Sequence, residues 1–446
     1  MRPTRRARAR GLLVDISPLR LDRDFRLLWL GQVVSTLGRQ VTVVVLPYQL
    51  YVLTGSPLSI GLLALVQLVP ILVFSLGGGA LADACDRRRL LILTLTGLMA
   101  CSVALFAISL LPSPPVPLLY VIAAISAGIG AVDQPARSSA TPRLVPRERL
   151  TAAIALGQLS FQASGVAGPA LGGLILAGIG IAPGYLFDAM TFAAVLVSLL
   201  LMAPIPPTPG ARRPGLAAVG EGLRFAAARP AILGSFVIDL NAMIFGMPSA
   251  LFPLLALDVF KVGPAGVGLL TAAPAAGALI GAVLTGWTTR VRRVGLAVIA
   301  SVVVWGLAIT GFGLALFSFP LALLLLAVAG AADVISAVFR STLLQVMAPD
   351  ELRGRLSAIH ILVVTSGPRL GDAEASAVAA LAGAQVSAIS GGLLSLAGLA
   401  VVAWAFPALR AFDIARLAAE SKDRPPPSEP PASGPGASYP GASART

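Results

Sequence analysis

The chain has 446 residues, of which 57% are hydrophobic and only 12% charged, and its formal net charge is +13. So few charges could not cover the surface of a soluble domain of this length, which excludes a soluble globular protein. The basic residues are dispersed and lack an accompanying set of stacking aromatic residues, which argues against a nucleic-acid partner.

Twelve apolar runs of about twenty residues follow one another along the chain, and each is long enough to cross a bilayer as a helix. We therefore predict an all-α, polytopic membrane protein embedded in the lipid bilayer. The predicted spans are 27–50, 58–80, 90–111, 117–139, 153–178, 184–203, 231–253, 266–288, 295–317, 319–341, 357–380 and 385–406.

Arginines lie on alternate connections between these spans. The even-numbered connections carry fifteen arginines, whereas the odd-numbered connections hold one basic residue, Lys261. Because Lys and Arg in short loops are retained on the cytoplasmic side, both termini are predicted to be cytoplasmic, in a multi-pass protein of the cell membrane.

The longest even-numbered connection divides the chain into two halves. It is rich in proline at its start, and its later part, around Arg224 and Phe225, is predicted to form a helix on the membrane surface. The predicted domains are a basic cytoplasmic tail (1–20), an N-terminal six-helix bundle (21–203), a cytoplasmic linker (204–230), a C-terminal six-helix bundle (231–410) and a disordered cytoplasmic tail (411–446).

The two halves repeat at an offset of 203 residues. The matching pairs are Arg87 with Arg290, Arg89 with Arg292, Arg137-Ser138 with Arg340-Ser341, Pro146 with Pro349, and Glu148 with Glu351. Several matches at one offset indicate the duplication of a six-helix unit. Two such units side by side are the architecture of the major facilitator transporters.

A loop motif strengthens this resemblance. The segment Gly79-Ala-Leu-Ala-Asp83-Ala-Cys-Asp-Arg87-Arg88-Arg89 resembles the major facilitator loop signature G-x-L-A-D-R-x-G-R-K, with Ala84 and Asp86 as departures. The resemblance implies a gating loop made of Gly79, Asp83, Arg87 and Arg88, in which Asp83 latches the two halves with Arg137 as its partner. An ordinary loop aspartate that only caps a helix remains the alternative.

A second motif lies in the fifth predicted helix. Gly168-Pro169-Ala-Leu-Gly172-Gly173 resembles the G-P-x-x-G-G core of the motif associated with drug:proton antiporters. Small residues of this kind also allow close packing in any helix bundle.

Finer similarity spans nearly the whole of residues 20–410 and points to the branch that contains enterobactin exporters and macrolide-efflux permeases. It is carried by residues 54–56, 144–150, 187–189, 345–355 and 367–375. The resemblance implies export of siderophores or hydrophobic drugs by proton exchange. The arginine motif of drug antiporters is not recognisable in the fourth helix, where Gly130-Ala-Val-Asp133-Gln-Pro-Ala-Arg137 stands instead.

Ionisable residues at membrane depth are costly and need a partner, water or a function. The predicted substrate and proton cavity comprises Arg39, Asp133, Asp239, Asn241, Asp333, Arg369, Asp372 and Glu374. Four of its carboxylates are candidate proton carriers: Asp133, Asp239, Asp333 and Glu374. Buried structural ion pairs explain these residues equally well, and the spacing of Arg369 and Asp372 favours a salt bridge within one helix.

Taken together, these features predict a monomeric secondary transporter that exports a small amphipathic molecule by proton antiport with alternating access. An uptake permease or uniporter of the same fold is the alternative. The chain lacks a phosphate-binding G-x-x-x-x-G-K-[ST] loop, which argues against an ATP-driven pump. With one His and two Cys we expect neither a metal site nor a cofactor, and a membrane-embedded enzyme or a sensor is a weaker interpretation.

Overall fold

A computed structural model describes residues 15–206, 220, 224–348 and 350–413. It describes their side chains as well, except at 76–84, 289, 350, 351, 353–355, 357 and 358. Twelve long helices make up this part of the chain. They are α1 (Arg23–Thr54), α2 (Leu58–Ala84), α3 (Arg87–Ser109), α4 (Val116–Leu144), α5 (Arg147–Gly178), α6 (Ile181–Leu200), α7 (Pro230–Phe245), α8 (Gly263–Val283), α9 (Val294–Leu314), α10 (Phe319–Met347), α11 (Asp350–Ala382) and α12 (Ala384–Ala405). Short helices, Ser17–Leu21 and Pro407–Arg410, flank the set.

Within the described residues, ten helical segments combine the length and hydropathy that a membrane span requires. The two long helices outside this group are α1 and α11, whose middles contain Arg39 and the Arg369–Glu374 segment. The helices that are least apolar therefore carry predicted site residues.

The even-numbered connections of each bundle lie at one end of that bundle. Arg149, at the start of α5, pairs with Asp22, just before α1, at 2.8 Å. The Arg87 backbone at the start of α3 donates to the Ile205 carbonyl beyond α6 at 3.0 Å. In the second bundle the Arg229 side chain, just before α7, donates to the carbonyl of Met347 at the end of α10. We call this end the basic side and the other end the opposite side.

Packing within the two bundles follows one pattern. α1 packs on α5 and α6, as α7 packs on α11 and α12; α2 packs on α4, as α8 packs on α10; and α3 packs on α4 and α6, as α9 packs on α10 and α12. The contacts between bundles obey the same symmetry, because α5 meets α8 and α11 meets α2. This equivalence of helices confirms the predicted twelve-helix, two-bundle fold.

A large hydrophobic cluster joins the two bundles on the opposite side, and a smaller one around Tyr51 and Ala250 does so as well. The large cluster brings Val44 and Leu50 of α1 together with Leu255, Leu270 and residues of α9 to α12. The Tyr51 hydroxyl also donates to Asp258 across the bundles.

On the basic side the described side chains form separate clusters, one around Leu95 and Phe192 in the first bundle and one around Val298 and Phe339 in the second. Among the described side chains, the bundles therefore pack together on the opposite side and form separate hydrophobic clusters on the basic side.

Helix α7 is broken, which the continuous span predicted for 231–253 did not anticipate. The α-helix ends at Phe245, and short helical turns follow from Ser249 to Val259. The Asp372 carboxylate of α11 accepts a hydrogen bond from the Ala250 amide at 3.0 Å and another from the Ser249 hydroxyl. The freed Gly246 carbonyl accepts from Trp305 Nε1 at 3.0 Å, so both ends of the break have polar partners.

Backbone-to-backbone contact between α8 and α10 leads to a stability prediction. A Cβ atom added at Gly277 would lie 1.7 Å from the Ala327 carbonyl oxygen, whereas one added at Gly157 of α5 has nothing within 4 Å. Gly277→Ala should therefore destabilise the protein by about 1–3 kcal/mol, because the two helix backbones must separate. Gly157→Ala is the matched control. Thermal unfolding in detergent checks the pair, and equal midpoints would contradict the packing.

Candidate functional site

Arg39 lies in the middle of α1 and is exposed. A Cβ atom added at Gly130 of α4 would lie 3.5 Å from its Nη2 atom, so the guanidinium lies against the α4 backbone. No ion pair joins it to a described residue. An exposed cation at this depth implies access to water or to a polar ligand, since hydrocarbon would not tolerate it.

Asp188 of α6 is buried against α1, where a Cβ atom added at Gly38 would lie 2.8 Å from Asp188 Oδ1. Its carboxylate accepts hydrogen bonds from the hydroxyls of Thr42 at 2.8 Å and Ser102 at 2.7 Å. Asp188 thereby ties α6 to α1 and α3, which supports a structural role.

The fourth helix carries a closed ion pair. Arg137 Nε lies 2.6 Å from Asp133 Oδ2, and Thr94 donates to the other carboxylate oxygen at 2.9 Å. Asp133 is 1% exposed, so the structure places it inside the first bundle and away from the cavity that we predicted. In the structure, Arg137 therefore forms its ion pair with Asp133. The predicted partner, Asp83, and Gly79 lie outside the described side chains.

The C-terminal bundle holds one guanidinium between two carboxylates. Arg340 Nη2 of α10 lies 3.0 Å from Asp239 Oδ1 of α7 and 3.6 Å from Asp333 Oδ1 of α10. Ser336, one turn earlier on α10, accepts from Arg340 Nη1 at 3.0 Å. Asp239 and Arg340 are 1% and 3% exposed, but Asp333 is 33% exposed.

We call Asp239, Asp333 and Arg340 the α7–α10 cluster. His360 of α11 stacks on Phe236, with ring centroids 6.2 Å apart, and interacts electrostatically with Arg340 and Asp333.

The charged residues of α11 separate into different surroundings. Arg369 and Asp372 make no ion pair within 4.0 Å, so the predicted intrahelical salt bridge is not formed. Asp372 instead holds the broken part of α7 through Ser249 and Ala250. Both α11 side chains line a cavity of about 90 Å³ between the two bundles, together with Val44, Ser249, Thr271 and other residues.

Two further predicted cavity residues have other positions. Asn241 of α7 is turned towards α12, where its side-chain amide donates to the Ser395 carbonyl at 2.8 Å. Its role in the structure is therefore a contact between helices. Glu374 is half-buried and has no ion pair with a described residue.

The arginines of the predicted gating loop bind the end of α6. Arg88 donates to the carbonyls of Leu199 at 2.7 Å and Leu200 at 2.8 Å. Arg87 is buried and donates to Ser139 at 3.2 Å and to the Pro206 carbonyl at 3.0 Å. Basic side chains thus satisfy carbonyls at a helix C-terminus, where the helix dipole favours positive charge.

The glycine motif of α5 makes two close contacts. Cβ atoms added at Gly168 or Gly172 would approach α1, at 2.3 Å from Gln40 Cβ and 3.3 Å from the Val41 backbone. One added at Gly173 would lie 2.9 Å from Gly268 Cα of α8, in the other bundle. Pro169 is buried in the same stretch. The motif therefore brings α5 close to its own bundle on one face and to the partner bundle on the other.

Several residues that hold the site together were not predicted from the sequence. Thr94 and Ser336 support the two ion clusters, and Arg340 was noted only as a repeat match. The offset of 203 carried a usable signal, because Arg340 matches Arg137, which also pairs with an aspartate inside its bundle. Among the described residues no group of three His, Cys, Asp or Glu side chains is arranged to hold a metal ion.

The α7–α10 cluster should be sensitive to loss of its cation. Arg340→Gln leaves two carboxylates without a counter-ion in a buried setting, so we expect a loss of about 3–5 kcal/mol of stability. Arg39→Gln, which removes an exposed arginine without an ion pair, is the control and should cause little change. Thermal unfolding in detergent distinguishes the two; equal effects would show that Arg340 does not hold the cluster together.

Comparison with known proteins agrees with this architecture. The family model described as transmembrane secretion effector matches residues 14–430. Enterobactin exporter EntS of Citrobacter koseri is 30% identical over 393 residues, which cover 87% of this chain and 92% of the relative, and EntS of Shigella boydii gives the same figures.

Solved structures share the fold at low identity. A POT family transporter in complex with 5-aminolevulinic acid has a TM-score of 0.70 at 12% identity, covering 87% of this chain and 97% of its own. A bacterial homologue of the lysosomal transporter Spinster, inward-facing and unoccupied, has a TM-score of 0.68 at 15% identity, with 88% and 99% covered. A bacterial homologue of ferroportin, also inward-facing, has a TM-score of 0.67 at 16% identity, with the same coverage.

The matched family, the exporter relatives and the shared fold lead to one conclusion. This chain is a membrane transporter that belongs to the transmembrane secretion effector family of the major facilitator superfamily.

Proposed function

We propose that this transporter exports a small amphipathic molecule in exchange for protons. The observation that carries the proposal is a pair of bundles sealed on the opposite side, with a partly exposed acidic cluster on the side where they pack independently. Carboxylates at membrane depth are the usual groups of proton relays. The exporter relatives support the outward direction of transport.

Alternating access would rock residues 21–203 against residues 231–410, with 204–230 as the linker between them. The moving surfaces would be the α2–α11 and α5–α8 contacts, which the symmetry of the fold places on the two flanks of the cavity. With the basic side facing the cytoplasm, this structure corresponds to the state that loads cargo from inside. A single chain contains both bundles, so we propose a functional monomer with both termini cytoplasmic.

The latch between the bundles would form in the other state. Arg137 Nη1 has no hydrogen-bond partner among the described residues. When the basic side closes, we propose that Asp83, at the end of α2, pairs with Arg137 of the same bundle and that this pair meets α11, which α2 already contacts, while Gly79 allows α2 and α11 to approach. Arg87 and Arg88 would keep the loop attached to α6 during the movement.

Cargo would bind beside Arg39 in the cavity between the bundles. Its guanidinium is free to pair with an acidic or hydrogen-bonding group, and the apolar helices around it suit the rest of an amphipathic molecule. Arg369 and Asp372 line the small cavity nearer the opposite side and would meet cargo as it leaves.

Transport in proteoliposomes tests the proposal. Purified protein is reconstituted, an acidic lumen is imposed, and accumulation of enterobactin and of a macrolide is measured with and without a protonophore. We expect gradient-driven accumulation of at least one probe that the protonophore abolishes. Asp239→Asn and Asp333→Asn should reduce it by about ten-fold or more, because they disrupt the proposed coupling cluster.

Protein-free liposomes are the control for passive entry. Equal accumulation of a probe with and without the pH gradient would contradict proton antiport. Movement only down the probe's own gradient would favour a uniporter, and movement in the same direction as protons would favour an uptake permease.

A further inference from the structure

The α7–α10 cluster has more negative than positive charge. One guanidinium, that of Arg340, serves the carboxylates of Asp239 and Asp333, at 3.0 and 3.6 Å. When both carboxylates are ionised, one negative charge is uncompensated in a region of low dielectric. Binding one proton removes that excess, because the cluster then contains one cation and one anion.

The duplicated half shows what a balanced version of this cluster looks like. At the offset of 203, Arg340 corresponds to Arg137, Ser336 to Asp133, and Asp333 to Gly130. Among the described side chains of the first bundle, Arg137 pairs with one aspartate, Asp133, at 2.6 Å. The second bundle has a serine at position 336, a carboxylate at 333 and another on α7. Among the described side chains, this extra carboxylate distinguishes the second half from the first.

Exposure and distance separate the two carboxylates of the second half. Asp239 is 1% exposed and closer to Arg340, whereas Asp333 is 33% exposed and farther from it. A buried carboxylate at 3.0 Å from a buried guanidinium holds that cation in place. Asp333, which is partly exposed, is the carboxylate of the pair that water can reach.

We propose that Asp333 is the proton-binding residue of this transporter and that Asp239 is the fixed counter-ion of Arg340. The inference rests on the proposed proton coupling and narrows it to one carboxylate. With the bundles separated on the basic side, Asp333 releases its proton towards that side. The Arg340–Asp239 pair stays intact through the cycle.

The surroundings of Asp333 contain few other groups that titrate. Arg340 lies on the same helix, Asp239 on α7, and His360 on α11. Helices α8 and α9, which pack on α10, contain no ionisable residue within their bounds.

Two other carboxylates are set apart by their positions. Asp133 is buried and matched one to one by Arg137. Glu374 lies on α11, fourteen positions beyond His360 in sequence and about 21 Å along the helix. Neither belongs to a cluster with excess charge.

A hydrophobic carbodiimide provides the test, because it modifies protonated carboxyl groups inside membranes. Purified wild-type protein is treated with dicyclohexylcarbodiimide at about pH 5.5 and about pH 8.5, and the labelled residues are identified by peptide mass spectrometry. We expect roughly ten-fold more label on Asp333 at the lower pH and little label on Asp239 or Asp133 at either. Wild-type protein is used, so no variant needs to fold.

Asp239→Asn provides a second measurement. In this variant Asp333 is the only carboxylate that pairs with Arg340, which favours the ionised form of Asp333. Labelling of Asp333 at about pH 5.5 should therefore fall several-fold. Glu374→Gln is the matched control and should leave that labelling unchanged. Absence of label on Asp333, equal label at both pH values, or pH-dependent label on Asp239 instead would overturn the assignment.

The labelling experiment does not depend on transport, so the two proposals fail separately. If Asp333 is labelled as expected but neither probe follows the pH gradient, the proton site stands and the antiport proposal fails. If transport follows the gradient and Asp333 is not labelled, the antiport proposal stands and this assignment fails.

Discussion

The cost of placing charge in hydrocarbon governs the interior of this transporter. Most described ionisable side chains at membrane depth have a polar partner or lie where water can reach them. Arg137 holds Asp133, Arg340 holds Asp239, and hydroxyl groups hold Asp188. Two charged side chains outside these fixed pairs are used in the functional proposals. Arg39 is proposed to bind cargo, and Asp333 is proposed to bind a proton.

Close contact between small residues supplies the second constraint. Without a hydrophobic force between helices in lipid, packing and polar contacts hold the bundles together. Gly277 brings α8 against α10 within a bundle, while Gly173 and Gly268 bring α5 against α8 between bundles. On the other flank Gly61 of α2 approaches Ser376 of α11. The same kind of contact thus builds the rigid bundles and the surfaces where one bundle meets the other.

The sequence predicted the parts of this structure that depend on local pattern. Helix number follows from apolar length, and the pairing of Arg137 with Asp133 could have been predicted from their spacing of four. The break in α7 could not, because Pro47, Pro70 and Pro274 lie within continuous helices. The short turns that follow the break are held by Asp372, more than a hundred residues away, through Ser249 and Ala250. The Arg340–Asp239 pair is a non-local contact of the same kind.

Alternating access requires the two sides of the transporter to move reciprocally. The distance between two spin labels on each side measures this movement. In a background with Cys85→Ser and Cys101→Ser, spin labels replace Thr54 and Val262 on the opposite side, or Arg147 and Arg292 on the basic side. Gly173→Leu acts as a wedge, because even a Cβ there would lie 2.9 Å from Gly268 Cα. Electron spin resonance should show the Thr54–Val262 distance lengthening while the Arg147–Arg292 distance shortens. A wider opposite side with an unchanged or wider basic side would contradict alternating access.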